Sequence, residues 1–306
     1  MLLNVTFKEA MGYINVPSAA IVIQNDTIVF EHYSGGWDRN SQSCVFSVTK
    51  TVTSLLCGIA LKEGCIKSVN DPVTDYIPEM KKADPMFSHT PGESFSYDSA
   101  TTAILGLVIE RATGQSYSQY LSEKVWQPLG MERDALIGLD SKKHHTAKSF
   151  AGLTTNVRDL AKIGRLFLNH GNMEGNQILD SSYVQRCLTT HDPGIVGKRK
   201  GRYSYSWYWG FNDSYYDGNK YHERRYFQTE EDMREYYKAH QEKSPYMVWR
   251  TSAGYFGVFH NSGHWAFGLY GQVLYVNPSK NIVAVFLGAD RVKDFNILFD
   301  QLSVSL

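Results

Sequence analysis

The β-branched runs at the two ends of the chain constrain its fold most. Ser18-Ala19-Ala20-Ile21-Val22-Ile23-Gln24 and Thr27-Ile28-Val29-Phe30-Glu31-His32-Tyr33 lie near the N-terminus, and Asn25-Asp26 between them suits a tight hairpin turn. Near the C-terminus, residues 265–269, 272–276 and 282–287 read as further strands, with Asn277-Pro278-Ser279-Lys280-Asn281 turning the chain between the last two. The aromatic alternation of Tyr205-Ser206-Trp207-Tyr208-Trp209-Gly210-Phe211 predicts another. Between these ends the periodicity is helical. A helix from Ser47 to about Lys62 carries an apolar face of Val48, Val52, Leu55, Leu56, Ile59 and Ala60, with Gly64 as its C-cap. Others are expected over 100–113 before Gly114, over 117–125, after the Asn156 cap, and from Ser181 or Ser182 toward Leu188. Short helices are also expected over 4–12 and 294–302. Strands at both ends around a helical block predict an α/β (α+β) fold, with a sheet built from both termini and an all-α insertion. The expected division is a sheet domain of residues 1–55 and 203–306 and a mainly helical domain of residues 56–202.

Charge removes several classes of function. Thirty-one basic residues balance thirty-one acidic ones, so nothing favours nucleic acid or an anionic membrane as partner. No apolar run reaches transmembrane length, and Met1-Leu2-Leu3-Asn4 does not open a signal peptide, so a cytoplasmic location is expected. Cys44, Cys57, Cys65 and Cys187 show no tight metal spacing and read as free thiols rather than disulfides. His260 and His264 stand four apart, but Gly263 argues against a helix that would pair them, and His144-His145 lies in a polar loop. No metal and no cofactor are expected. Residues 213–246, rich in tyrosine and charge, read as a solvated excursion with an exposed helix from about Thr229; a lid over the active site is the alternative.

The chemistry-bearing stretch is Val45-Phe46-Ser47-Val48-Thr49-Lys50, which opens the first long helix. Residues three apart share a helix face, so Ser47 and Lys50 stack one above the other. A serine hydroxyl needs an adjacent base, and a buried lysine can supply one. The plain alternative is that Ser47 merely caps the helix.

Phe46-Ser47-Val48-Thr49-Lys50, with Asp71-Pro72-Val73 downstream, resembles the serine β-lactamase and penicillin-binding superfamily in its class C β-lactamase-like branch. Pro91-Gly92, Phe95-Ser96-Tyr97-Asp98-Ser99, Gln127-Pro128-Leu129-Gly130-Met131 and Ala151-Gly152-Leu153-Thr154-Thr155-Asn156-Val157-Arg158-Asp159 extend the likeness in the same order. Ala266-Phe267-Gly268-Leu269-Tyr270-Gly271-Gln272 is most similar to the 6-aminohexanoate-dimer hydrolases, close to family VIII-type esterases. The resemblance implies a β-lactamase-like fold with the active site between its two domains. It implies that Ser47 is acylated, that Lys50 and Tyr97 form its acid/base pair, and that the Ser47 and Leu269 N–H groups make the oxyanion hole. Ser99, Gly268, Tyr270 and Gln272 are then expected to face substrate.

Three departures narrow the expectation. Ser99 replaces the asparagine that usually ends the second motif, as in the amide hydrolase group. Ala266 stands where β-lactamases carry the lysine that helps hold a substrate carboxylate. Only fifty positions separate Ser47 from Tyr97, where relatives carry a longer helical segment that forms part of the cleft wall. The expected partner is therefore a small ester or amide with an uncharged acyl part. A β-lactamase or DD-peptidase is the alternative enzyme, and a weakly active or inactive binding protein on the same fold is the alternative of another class.

Overall fold

The computed structural model describes residues 17–82, 97–189, 203–204, 207–209, 224–227, 230–239, 249–251, 254–258 and 263–288. The expected helices at 4–12 and 294–302, the Pro91-Gly92 turn and His260 lie outside them.

A seven-stranded sheet uses both ends of the chain. Its strands are β1 (Ser18–Gln24), β2 (Thr27–Ser34), β3 (Tyr203–Ser204), β4 (Trp207–Trp209), β5 (His264–Gly268), β6 (Gln272–Asn277) and β7 (Ile282–Gly288), in the order β2-β1-β7-β6-β5-β4-β3. Every pairing is antiparallel, and the two ends of the chain meet where β1 pairs with β7, Ser18 opposite Gly288 through Gln24 opposite Ile282. The hairpin between β1 and β2 turns at Asn25 and Asp26, both in the left-handed region at φ 49° and 60°, as a twist-matched two-residue turn requires. β7 and the central strand β6 are buried at every residue.

The helices are α1 (Thr49–Lys62), α2 (Ser99–Thr113), α3 (Tyr117–Leu121), α4 (Val157–Leu168), α5 (Ser181–Thr189) and α6 (Glu230–Ala239). Asn156 caps α4, its Oδ1 accepting from the Asp159 N–H at 2.7 Å. The apolar face of α4 packs on the sheet: Leu160, Ile163 and Phe167 share one buried cluster with Ile21, Leu274, Val276, Val283 and Val285. Each such side chain contributes roughly 1.5–3 kcal/mol on burial. A side chain at Gly164 would overlap Val283 and Leu274, so a glycine there lets the helix lie close against the sheet.

Several expectations are revised. The predicted helix over 117–125 divides into α3 and one wider π turn, Ser122–Trp126. The middle of the chain also holds short strands: Leu153–Thr155 lies between Ser43–Cys44 and Leu136–Ile137, and Asn172–Met173 pairs with Asn176–Gln177. The charged stretch after 213 is more than a helical excursion. Arg224–Phe227 and Trp249–Thr251 flank Gly254–Val258 in a second antiparallel sheet, and α6 packs on it with Glu231, Asp232, Arg234, Glu235 and Lys238 exposed. All four cysteines are free thiols, with Cys57 and Cys187 buried.

Candidate active site

The site begins with a break in backbone regularity. Phe46 takes φ 46°, in the left-handed region, which costs a bulky residue roughly 1–3 kcal/mol. It opens a single 3-10 turn, Phe46–Val48, that runs directly into α1. Val48 is the N-cap of α1, and no side-chain hydrogen bond caps either element. The Ser47 hydroxyl is therefore not used as a helix cap. It lies on the partly exposed turn, within 3.2 Å of Lys50 Nζ.

Burial of α1 goes beyond the one apolar face expected: every residue from Thr49 to Ala60 is buried. A chain segment running alongside, 149–153, satisfies three of its polar side chains, Thr49, Lys50 and Thr53. Thr53 donates to the Ser149 carbonyl at 2.5 Å and shares a 2.7 Å bond with the Tyr117 hydroxyl. Lys50 Nζ donates to the Phe150 carbonyl at 2.9 Å, and Thr49 Oγ1 accepts from the Leu153 N–H at 3.1 Å. The Leu153 carbonyl in turn accepts from the Val45 N–H at 2.8 Å, which fixes the approach to the Ser47 turn. With 2% of its surface exposed, Lys50 reaches Ser47 with its Nζ anchored from behind by the Phe150 carbonyl.

Tyr97 joins this pair from the residue just before the Asp98 cap of α2. Lys50 Nζ stands 4.9 Å from the centre of the Tyr97 ring and 5.8 Å from that of Phe150. When protonated, an amine over an aromatic face gains about 0.5–2 kcal/mol, more as water is excluded. The expected trio thus converges, with the tyrosine presenting its ring to the lysine. Ser99 is the first residue of α2, two positions on from Tyr97 and half-buried.

Opposite lies the end of β5. A side chain at Gly268 would run into the Val45 carbonyl, so only glycine allows this close approach of the strand and the Ser47 turn. Leu269 and Tyr270 follow in a tight turn, 51% and 44% exposed, with Tyr270 at φ 64°. Gln272 is placed differently from Ser99, Gly268 and Tyr270. It is fully buried, and its side chain bonds both backbone groups of Gly288, donating to the carbonyl at 2.6 Å and accepting from the N–H at 3.2 Å. Ala266, in the position expected for a cation, lies in the hydrophobic core.

His144, His145 and His264 lie outside this arrangement. His264 is buried in β5, and burial pushes its imidazole down to about 3. His144 and His145 are exposed. Among the described residues no group of three or more His, Cys, Asp or Glu side chains is placed to hold a metal ion. Likewise, no described helix is long and apolar enough to cross a membrane. The sequence reading missed the Phe150 carbonyl. A backbone acceptor leaves no mark in residue type, and only the surrounding Ala151-Gly152-Leu153 motif pointed to the region.

Known proteins resemble this chain in sequence and in fold. The family profile described as Beta-lactamase matches residues 3–87 and 82–298. The 6-aminohexanoate-dimer hydrolase of Paenarthrobacter ureafaciens is 25% identical over 227 residues, covering 56% of this chain and 56% of that protein. The chain thus spans just over half the length of that relative. Among solved structures, a Bacillus anthracis protein with a provisional 6-aminohexanoate-dimer hydrolase name has a TM-score of 0.70 at 20% identity, over 97% of this chain and 80% of that one. The D-alanine carboxypeptidase AmpC of Burkholderia cenocepacia has a TM-score of 0.65 at 14% identity, over 99% and 98%. At these identities the solved structures share the fold.

Proposed function

The chain belongs to the beta-lactamase family, and from that premise we propose that it is a serine hydrolase of carboxylic esters or small amides with an uncharged acyl part. One observation carries the reading: Lys50 Nζ lies 3.2 Å from the Ser47 hydroxyl and 4.9 Å from the Tyr97 ring centre. In this reading Ser47 Oγ attacks the acyl carbon as its proton passes to the Lys50–Tyr97 pair. The pair then protonates the leaving alcohol or amine. Water, deprotonated by the same pair, releases the acid and restores the serine. The Ser47 and Leu269 N–H groups hold the oxyanion, each worth about 10²–10³ in rate. Residues 1–55 and 203–306 supply one wall and 56–202 the other.

Ala266 supports an uncharged acyl part. A buried methyl at that position offers a carboxylate nothing. The relative's name, 6-aminohexanoate-dimer hydrolase, supports amide cleavage as one branch of the activity. The test is turnover of p-nitrophenyl acetate and nitrocefin side by side. The ester should be hydrolysed much faster than nitrocefin. Preferential nitrocefin turnover would move the assignment to the β-lactamases.

A further inference from the structure

Two left-handed residues flank the two N–H groups assigned to the oxyanion. Phe46 precedes Ser47 at φ 46°, and Tyr270 follows Leu269 at φ 64°. Neither side chain favours that conformation, so something must hold each turn. Their rings meet edge to face, with centres 5.3 Å apart, which is a preferred aromatic geometry. From the buried side, Gln272 Nε2 donates to the Tyr270 carbonyl at 3.3 Å, while its Oε1 accepts from the Ser43 hydroxyl at 3.5 Å. The same amide is clamped to Gly288, so the turn after β5 is tied to β7 and to the strand leading to Ser47. Tyr270 remains 44% exposed, more than a side chain present only to fill the core would be.

We propose that the Phe46–Tyr270 ring contact, backed by Gln272, sets the separation of the Ser47 and Leu269 N–H groups. Phe46 and Tyr270 are thus positioning residues. The inference rests on the hydrolase reading above. A misplacement of about 1 Å in such a site costs on the order of 10²-fold in rate.

The experiment uses Phe46→Ala, Tyr270→Ala, the double variant and Tyr270→Phe. It measures kcat and KM for p-nitrophenyl acetate and the Ki of phenylboronic acid, whose tetrahedral serine adduct occupies the oxyanion site. Each alanine variant should lose about 10–100-fold in kcat with KM within about twofold, and the boronate Ki should rise by a similar factor. The double variant should lose no more than either single one, and Tyr270→Phe should restore the rate. Tyr270→Leu, which keeps apolar bulk without a ring, replaces the alanine variant if that is unstable and should show the same loss. Unchanged kcat in Tyr270→Ala, losses that multiply in the double variant, or an effect confined to KM would overturn the proposal. A wild-type protein that leaves the ester intact sinks the hydrolase reading instead, so the two failures are distinguishable.

Discussion

Lys50 Nζ sits between the Ser47 hydroxyl, at 3.2 Å, and the Phe150 carbonyl, at 2.9 Å. The backbone acceptor holds the amine in place without carrying charge of its own. Replacing Lys50 by methionine keeps most of the buried stem and removes the amine proposed to take the serine proton. We expect kcat to fall by about 10²–10⁴. Stability should fall by about 1–3 kcal/mol, because the Phe150 carbonyl loses its donor. Steady-state kinetics with thermal unfolding checks both.

Tyr97 contacts Lys50 through its ring face, 4.9 Å away. Tyr97→Phe keeps that contact and removes the hydroxyl. Acylation should slow by about 10²–10⁴ while the melting temperature stays near wild type. Unchanged acylation kinetics would reduce Tyr97 to a packing role beside the lysine.

Much of this arrangement can be read from the sequence, and the parts that cannot have a common cause. The hairpin at Asn25-Asp26, the Asn156 cap and the Gly114 C-cap at φ 69° follow from local backbone chemistry. The Ser47–Lys50 spacing follows from helix geometry. Gln272 shows the limit. A polar side chain beside a site looks the same in sequence whether it meets substrate or clamps a neighbouring strand, and here it binds Gly288. The second sheet, built from strands of three to five residues, is too short for periodicity to reveal.

Gly268→Ala would place a methyl group against the Val45 carbonyl, two residues before Ser47. Backbone cannot swing aside as a side chain can, so the strand or the Ser47 turn must shift. We expect a loss of about 1–3 kcal/mol in stability. A fall in kcat of at least about 10-fold should accompany it. Near wild-type kcat in a stable variant would show that the approach of strand and turn does not matter to turnover.

Stability should depend on pH through His264, whose imidazole burial holds at about 3 against an ordinary 6.5. The unfolded chain takes up a proton at this residue where the folded protein does not. Its contribution is therefore whole above pH 6.5 and falls as pH drops toward 3, by about 1.4 kcal/mol per unit. Glu31 adds a loss at lower pH, since hydrogen bonds from Arg158 hold its carboxyl below the ordinary 4.5. Denaturant midpoints measured from pH 7 to 5 should decline in the wild type and flatten in His264→Phe.

The most direct measurement is mass spectrometry of the protein after incubation with a fluorophosphonate. The account predicts a single covalent adduct on Ser47, absent from Ser47→Ala, together with a loss of ester turnover in that variant on the order of 10⁶-fold. An unlabelled wild-type protein that leaves short-chain nitrophenyl esters intact, or an adduct on a different serine, would contradict it.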